Sequence, residues 1–325
     1  MTERAATAVA HANIALAKYW GKAERVRNLP AVPSLSLTLD ALRSTTRVVP
    51  DAALRADEVV LDGAVASGRS LERVVRMLDE IRAKTGSESR ARVVSSNDFP
   101  TAAGLASSAS GFAALALATT TAYGLAATPS DVSALARRAS ASAARSVYGG
   151  YVALRSGVEA AEPVLRAEEF PLAMVIALTA SGPKSIGSTE GMRHTEETSP
   201  YYAAWLASAP PLFEEIHAAL LARDFARLGP LVEQSALMMH ASMLAARPAI
   251  VYFAPGTLRV MERVRGLRAA GTLAFFTMDA GPHVKVLTEP GSAAAVESAL
   301  RGVEGVLDVR VSGPGPDAHL LQEPP

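Results

Sequence analysis

The chain has 325 residues, 49% of them hydrophobic and 20% charged, a balance that supports a folded core and excludes an intrinsically disordered chain. Its 32 basic residues equal its 32 acidic ones and form no polybasic run, which excludes the concentrated positive face that nucleic acid or a membrane surface needs. It has no cysteine, so disulfides, thiolate nucleophiles and cysteine zinc sites are excluded, and a reducing compartment such as the cytoplasm fits.

Ala5–Ala17 is rich in Ala, Val and Ile but is interrupted by His11 and Asn13, so it reads as a strand and not a signal peptide. No run approaches the roughly 20 apolar residues of a membrane-spanning helix. Ser36–Leu39 and Thr45–Val49 alternate as two strands, and Asp57–Gly63 reads as a strand and a turn. Ser70–Lys84 predicts an amphipathic helix, with Leu71, Val74, Val75, Leu78 and Ile81 on one face and Gly86 after its end. Arg92–Ser95 is a further strand. A small-residue segment then leads into an apolar helix over Phe112–Tyr123, a helix over Ser130–Arg138 and a strand over Tyr151–Leu154.

A second half begins at Phe170–Leu178, and helices dominate it: Tyr201–Ala207, Leu212–Leu221, Ala226–Leu244 with a break expected near Pro230, and Pro255–Ala270. Strands at Leu273–Asp279, His283–Leu287 and Val306–Val311, with a helix at Ser292–Arg301, follow. Helices and strands mix without a βαβ rhythm, which predicts an α+β chain. Its length suits two domains, divided as 1–168 and 169–325.

Four segments could carry chemistry. Pro100–Gly111 is rich in small residues, holds adjacent serines and opens a helix. Backbone N–H groups in such a segment can approach phosphate oxygens with the positive helix end behind them. It is not a Walker loop, because no Lys-Ser/Thr pair follows the last glycine; from its residues alone it is equally a tight helix entry with Ser107 as N-cap. Lys18-Tyr19-Trp20-Gly21-Lys22 places two ammonium groups and a phenol after a buried strand, or is a solvated strand end. Ser140, Ser142 and Arg145 can form an anion clamp, since a guanidinium grips a carboxylate or phosphate with two parallel bonds; an ordinary capped helix start reads the same way. Asp279 ends an apolar strand before a Gly-Pro turn, a place suited equally to a general base and to a turn-initiating carboxylate. No cluster of His or carboxylates has metal-ligand spacing.

Taken together these segments resemble the diphosphomevalonate decarboxylase family of the GHMP kinase superfamily. The similarity is carried by Ala12–Lys22, by Asn28-Leu29-Pro30 and the serine-rich strand after it, and by Phe99–Gly111. It continues through Gly187–Met192 with Glu197–Pro200, Met239-His240-Ala241 and Met278–Pro282. These matches run in order over about residues 8–287. Alanines at 139 and 141 stand where the family usually has glycine, and His283 replaces a usual asparagine. The resemblance implies a GHMP kinase-like two-domain fold, with a ribosomal-protein-like first part and a ferredoxin-like second part flanking the site.

It also implies an ATP- and Mg²⁺-dependent reaction: mevalonate 5-diphosphate gives isopentenyl diphosphate, CO₂, ADP and phosphate. By analogy Asp279 orients or deprotonates the 3-hydroxyl and Lys18 offsets negative charge beside it. Arg145, Ser140 and Ser142 hold the substrate carboxylate, and Asn13 orients the substrate or Lys18. Tyr19 and Lys22, with Ser188 and Thr189, meet the diphosphate. Pro100, Ala103, Gly104, Leu105, Ala106, Ser107 and Ser108 meet ATP, the two serines also Mg²⁺. A homodimer is implied too. Two rivals within the superfamily are a mevalonate 5-phosphate decarboxylase and a mevalonate 3-kinase. A rival of another class is an inactive nucleotide-binding module.

Overall fold

A computed structural model describes residues 3–99, 107–182 and 186–322. Strand β1 (Ala6–Ala17) leads through a small hairpin, β2 (Lys22–Glu24) and β3 (Leu29–Pro30), into the long β4 (Ser34–Asp51). The two short strands expected at 36–39 and 45–49 are one continuous strand, because its polar residues pair with β1 and β7 instead of forming a turn. Strands β5 (Glu58–Leu61) and β6 (Ala64–Val65) precede helix α1 (Gly68–Thr85), strand β7 (Arg90–Asn97) and helices α2 (Ser107–Ala122) and α3 (Pro129–Ala139). A 3₁₀ turn over Ala141–Val147 connects to β8 (Tyr151–Leu154) and β9 (Glu162–Leu165).

Apart from the β2–β3 hairpin, these strands form one sheet with a final strand β14 (His319–Leu321), ordered β14-β1-β4-β7-β5-β6, with β8 pairing β4 and β9 pairing β8. Through β14 the chain's last described residues return to pair with β1 at Thr7–Val9. At three residues, His-Leu-Leu, that strand is too short to show an alternating pattern in sequence. The turn at Gly149-Gly150 is packed tightly against this returning segment. Gly150 has φ +62°, donates its N–H to Gly315 O at 2.9 Å, and leaves no room for a Cβ beside the Leu165 carbonyl.

The order continues with β10 (Ala173–Leu178), α4 (Ser188–Thr198), α5 (Tyr202–Leu221), α6 (Phe225–Leu244) and α7 (Pro255–Ala269). It ends with β11 (Ala274–Thr277), β12 (Val284–Thr288), α8 (Ala293–Arg301) and β13 (Asp308–Ser312). These strands make a second antiparallel sheet, β11-β12-β10-β13. The break expected between Ala207 and Leu212 does not occur. Pro210 and Pro211 sit inside α5, where burial of Trp205, Ala209, Leu212, Phe213 and Ile216 offsets the lost backbone hydrogen bonds. Nor does Pro230 break α6, because it lies close to the helix start set by Asp224, whose side chain caps the Arg227 N–H.

Alternation along the second sheet gives it two apolar faces. Val284, Val286 and Phe276 pack on α7 and α8 through Val260, Val264, Val296 and Leu300. Phe275 and Leu287 face the other way, into a core shared with Leu228 and Val232 of α6 and with Ile14, Leu16 and Leu37 of the first sheet. A third core joins the near end of β1, through Ala6, Ala8 and Ala10, to α1–α3. The β-bulge between His11 and Asn13 is what lets one strand serve both cores. Across it β4 advances five residues, from Arg43 to Thr38, while β1 advances two; the even-numbered side chains of β1 pack on α1–α3 before it and toward α6 after it, and Asn13 turns toward the 3₁₀ turn.

No described helix is long and apolar enough to cross a membrane. The architecture is the α+β one that the mixed order of elements predicts. Helix α6 approaches β11 closely at Gly229, where an added Cβ would overlap the Phe275 ring. Gly229→Ala should therefore overpack this core and lower stability by about 1–3 kcal/mol despite its better helix propensity. Urea unfolding checks this, and an unchanged or raised midpoint would contradict it.

Candidate active site

A cavity of about 1000 Å³ opens between the two sheets' helices. Among its described lining residues are eight Lys or Arg side chains and four Asp or Glu side chains, in a chain whose formal net charge is zero. Asn13, Lys18, Tyr19, Lys22, Ser107, Ser108, Ser140, Ser142, Arg145, Ser188, Thr189 and Asp279 all line it. Pro100, Ala103, Gly104, Leu105 and Ala106 lie outside the described residues.

Asp279 sits just after β11, and Lys18 just after β1. The Lys18 Nζ donates to Asp279 Oδ1 at 2.8 Å and to the Ala15 carbonyl at 2.7 Å. Its backbone N–H donates to Ser235 Oγ of α6 at 2.9 Å. A second ammonium group, Lys285 Nζ of β12, forms an ion pair with Asp279 Oδ2 at 3.2 Å. The two lysine side chains are 1% and 0% accessible, whereas Asp279 keeps 28%, so the carboxylate faces the cavity with its counter-ions sealed behind it. His240 of α6 donates its Nε2–H to the Asp279 carbonyl at 2.9 Å. Burial alone would raise the Asp279 carboxyl; the ammonium groups of Lys18 and Lys285 overcome this and hold it well below the usual carboxylate range. Burial pushes Lys18 down to about 8 against the pull of Asp279, and the Lys285 and Arg145 charges push the same way.

Arg145 is equally buried but anchored differently. Its Nε donates to Ser36 Oγ at 2.9 Å, Nη1 to Ser34 Oγ at 2.6 Å and Nη2 to Asn13 Oδ1 at 3.3 Å. The Asn13 amide in turn donates to Ser146 Oγ at 2.8 Å and to the Ser142 carbonyl at 3.0 Å. Asn13 thus ties Arg145, and the 3₁₀ turn that carries it, to β1. Ser140 and Ser142 sit with their hydroxyls 3.2 Å apart at the start of that turn. Neither Ala139 nor Ala141 takes a positive φ, since Ala139 ends α3 and Ala141 opens the 3₁₀ turn, so alanine fits where the family usually has glycine.

Lys22 donates to Asn28 Oδ1, and Asn28 donates to the Arg138 carbonyl, which fixes the β2–β3 hairpin against α3. Burial pushes Lys22 down to about 8, with the charges of Arg69, Arg73 and Arg25 adding to the effect. The Tyr19 hydroxyl is buried without a hydrogen-bond partner among the described residues, and burial raises its pKa. The site therefore has crowded cations and an open hydroxyl, which an anionic ligand with acceptor oxygens would satisfy.

Several residues of this site escaped the sequence reading. Lys285 is a charge inside the apolar run Val284–Leu287, a pattern that itself signals a buried partner. Arg69, Arg73 and Arg76 recur at helical spacing on α1 and share the cavity wall. Ser34 and Ser36 lie on one face of β4, two residues apart. His283, by contrast, was noted in the sequence; it is buried with its Nδ1 accepting the Thr179 N–H at 3.1 Å. Among the described residues no three His, Cys, Asp or Glu side chains gather to hold a metal.

His240 carries a pH signature. Burial lowers its pKa from 6.5 to about 4, so the folded state resists protonation that the unfolded chain accepts. Stability at neutral pH should fall as pH drops below about 6.5 and level off below about 4, by up to roughly 3 kcal/mol from this residue. Thermal melts of wild type and His240→Gln between pH 7 and 4 check this. The variant should lose less over that window, and equal losses would contradict it.

Two family models match the chain: a diphosphomevalonate decarboxylase-like N-terminal domain over residues 10–164 and a mevalonate 5-diphosphate decarboxylase C-terminal domain over 174–307. The diphosphomevalonate decarboxylase of Aspergillus fumigatus is 34% identical over 95% of this chain and 83% of its own. The crystal structure of mevalonate diphosphate decarboxylase from Staphylococcus aureus superposes with a TM-score of 0.93 at 35% identity, over 98% of each chain. A solved complex with MVAPP, AMPPCP and magnesium superposes with a TM-score of 0.91 at 40% identity, over 98% of this chain and 99% of that one. With both halves matched and the fold shared throughout, the chain belongs to the diphosphomevalonate decarboxylase family of the GHMP kinase fold.

Proposed function

We propose that the chain converts mevalonate 5-diphosphate and ATP to isopentenyl diphosphate, ADP, phosphate and CO₂. The observation that carries this reading is the Asp279 carboxylate, ionised between Lys18 and Lys285 and open to a cationic cavity that also holds Arg145. A tertiary alcohol is a poor leaving group, and transfer of a phosphoryl group to its oxygen makes it a good one. Departure of phosphate leaves positive charge on that carbon. The bond to the neighbouring carboxylate then breaks, its electron pair forms the alkene, and CO₂ leaves.

Each residue has a part in this sequence. Asp279 accepts a hydrogen bond from the 3-hydroxyl and takes its proton as the oxygen bonds to phosphorus. Lys18 faces the charge that develops there. Arg145, braced by Ser34, Ser36 and Asn13, holds the substrate carboxylate with Ser140 and Ser142, so that it cannot rotate away from the breaking bond. Tyr19 and Lys22 take the diphosphate, with Ser188 and Thr189 at the same wall. Ser107 and Ser108 open α2, and the helix N-terminus together with the preceding residues 100–106 receives the ATP phosphates. Their hydroxyls are hard oxygen donors of the kind Mg²⁺ accepts alongside phosphate oxygens. Bound there, Mg²⁺ would neutralise phosphate charge.

The complex with MVAPP, AMPPCP and magnesium in a relative of the same fold supports this set of ligands. We further assign residues 1–168 and 169–325 as the two domains, with 313–321 crossing back onto the first sheet. The family resemblance supports a cytoplasmic homodimer.

Asp279→Asn should reduce turnover at least about 10³-fold while leaving nucleotide binding within a few-fold of wild type. Arg145→Lys should lower kcat/KM by about 10²-fold or more, because the forked contacts to Ser34, Ser36 and the substrate carboxylate are lost. Steady-state kinetics with calorimetric ATP titration test both. Near-normal turnover in Asp279→Asn would remove it from the chemistry.

A further inference from the structure

We propose that Lys285 is a positioning residue of this reaction, acting through Asp279 to hold the carboxylate in place and to free the Lys18 ammonium for the transferring phosphoryl group. This rests on the decarboxylase reading above.

Lys285 lies on β12, an inner strand of the second sheet, in register with Thr277 of β11 and Ile176 of β10. Its neighbours Val284 and Val286 point to α7 and α8, so alternation turns Lys285 to the opposite face, the one that carries Phe275 and Asp279. An ammonium group in the middle of a fully buried strand is costly to desolvate unless it is paired. It pairs with Asp279, whose carboxylate faces the cavity. With no accessible surface, Lys285 does not reach the cavity itself, and its influence on Asp279 runs through this ion pair.

The charge balance gives that influence a direction. Around Asp279 stand Lys18 from the end of β1, Lys285 from β12, Arg145 from the 3₁₀ turn and the neutral His240 from α6. One anion is shared by two ammonium groups, and a guanidinium stands nearby. Without Lys285, Lys18 would become the sole ammonium counter-ion of Asp279 and would be held more tightly in its protonated form and in its present geometry. With Lys285 in place, Asp279 is already compensated from behind. Lys18 then carries positive charge that an incoming phosphoryl oxygen can claim. The carboxylate also meets a charge at each oxygen, a hydrogen bond from Lys18 at Oδ1 and the Lys285 ammonium 3.2 Å from Oδ2, which biases its rotation toward the hydroxyl it must meet.

The test is Lys285→Met, which keeps the chain's length and removes its charge, with Lys285→Arg as the charge-retaining control. The expected result for Met is a kcat lower by about tenfold or more, with KM values for both substrates within about twofold. The alkaline limb of its kcat–pH profile should move to higher pH, because Lys18 loses a repelling neighbour. Lys285→Arg should keep the limb near its wild-type position. Titration of the ¹³C-labelled lysine ε-carbons by NMR reads the Lys18 pKa without turnover, so a failure of this pairing is distinguishable from a failure of the decarboxylase reading. If Met does not yield folded protein, Lys285→Gln carries the same measurements. A neutral variant with unchanged kcat, or one whose activity loss leaves both the limb and the Lys18 titration where they are in wild type, would overturn the proposal.

Discussion

The site depends on a single carboxylate shared between two sealed ammonium groups. Asp279 is reached from β1 by Lys18 and from β12 by Lys285, so the ion pairs join an end of the first sheet to the centre of the second. Neither lysine could be buried there without the carboxylate, and the carboxylate could not stay ionised without them. Their electrostatics point outward: the lysine side chains are at most 1% exposed, and the open side of the carboxylate faces the cavity. Helix α6 braces the arrangement from a third direction, through Ser235 on the Lys18 backbone and His240 on the Asp279 carbonyl.

Around that centre the cavity concentrates positive charge that the whole chain does not show. Lys18 and Lys22 are both pushed down to about 8, chiefly by burial, and neighbouring cations add to it. Folding has gathered these groups from β1, α1, α3 and the 3₁₀ turn at the cost of mutual repulsion. A substrate with a carboxylate at one end and a diphosphate at the other relieves that repulsion at two places, near Arg145 and near Lys22. The cavity's own arrangement of charges thus favours such a ligand, in keeping with a site preorganised for anions.

Much of this was legible in the sequence, and the omissions have physical causes. Gly86 and Pro255 marked helix ends where the structure has them, because a left-handed cap and a missing N–H act locally. The prolines of α5 and α6 misled for the converse reason: a local breaking tendency was overcome by the burial of Trp205 and Phe213 and by the Asp224 cap, which no window of sequence displays. The bulge at His11–Asn13 was invisible because the even-numbered apolar pattern runs through it unchanged while the faces exchange. Asp279 and Lys18 stood out as charges at the ends of apolar runs, and Arg145 as a guanidinium beside two serines. Lys285 carried the same mark but lay inside a strand whose outer neighbours looked like ordinary core, and only the pairing of β12 with β11 shows where its ammonium group goes. The arginines of α1 read as the polar face of an amphipathic helix, and it takes the tertiary fold to turn that face toward the cavity.

Phosphorylation and carbon–carbon cleavage are separate events, and the ligand that fills the diphosphate end distinguishes this reaction from its relatives. The most direct measurement follows ADP and CO₂ release together, with Mg²⁺-ATP, on mevalonate, its 5-phosphate and its 5-diphosphate. Equimolar ADP and CO₂, with the highest kcat/KM on the 5-diphosphate, is the predicted result. ADP without CO₂, preference for a substrate with fewer phosphates, or no turnover on any of the three would contradict it.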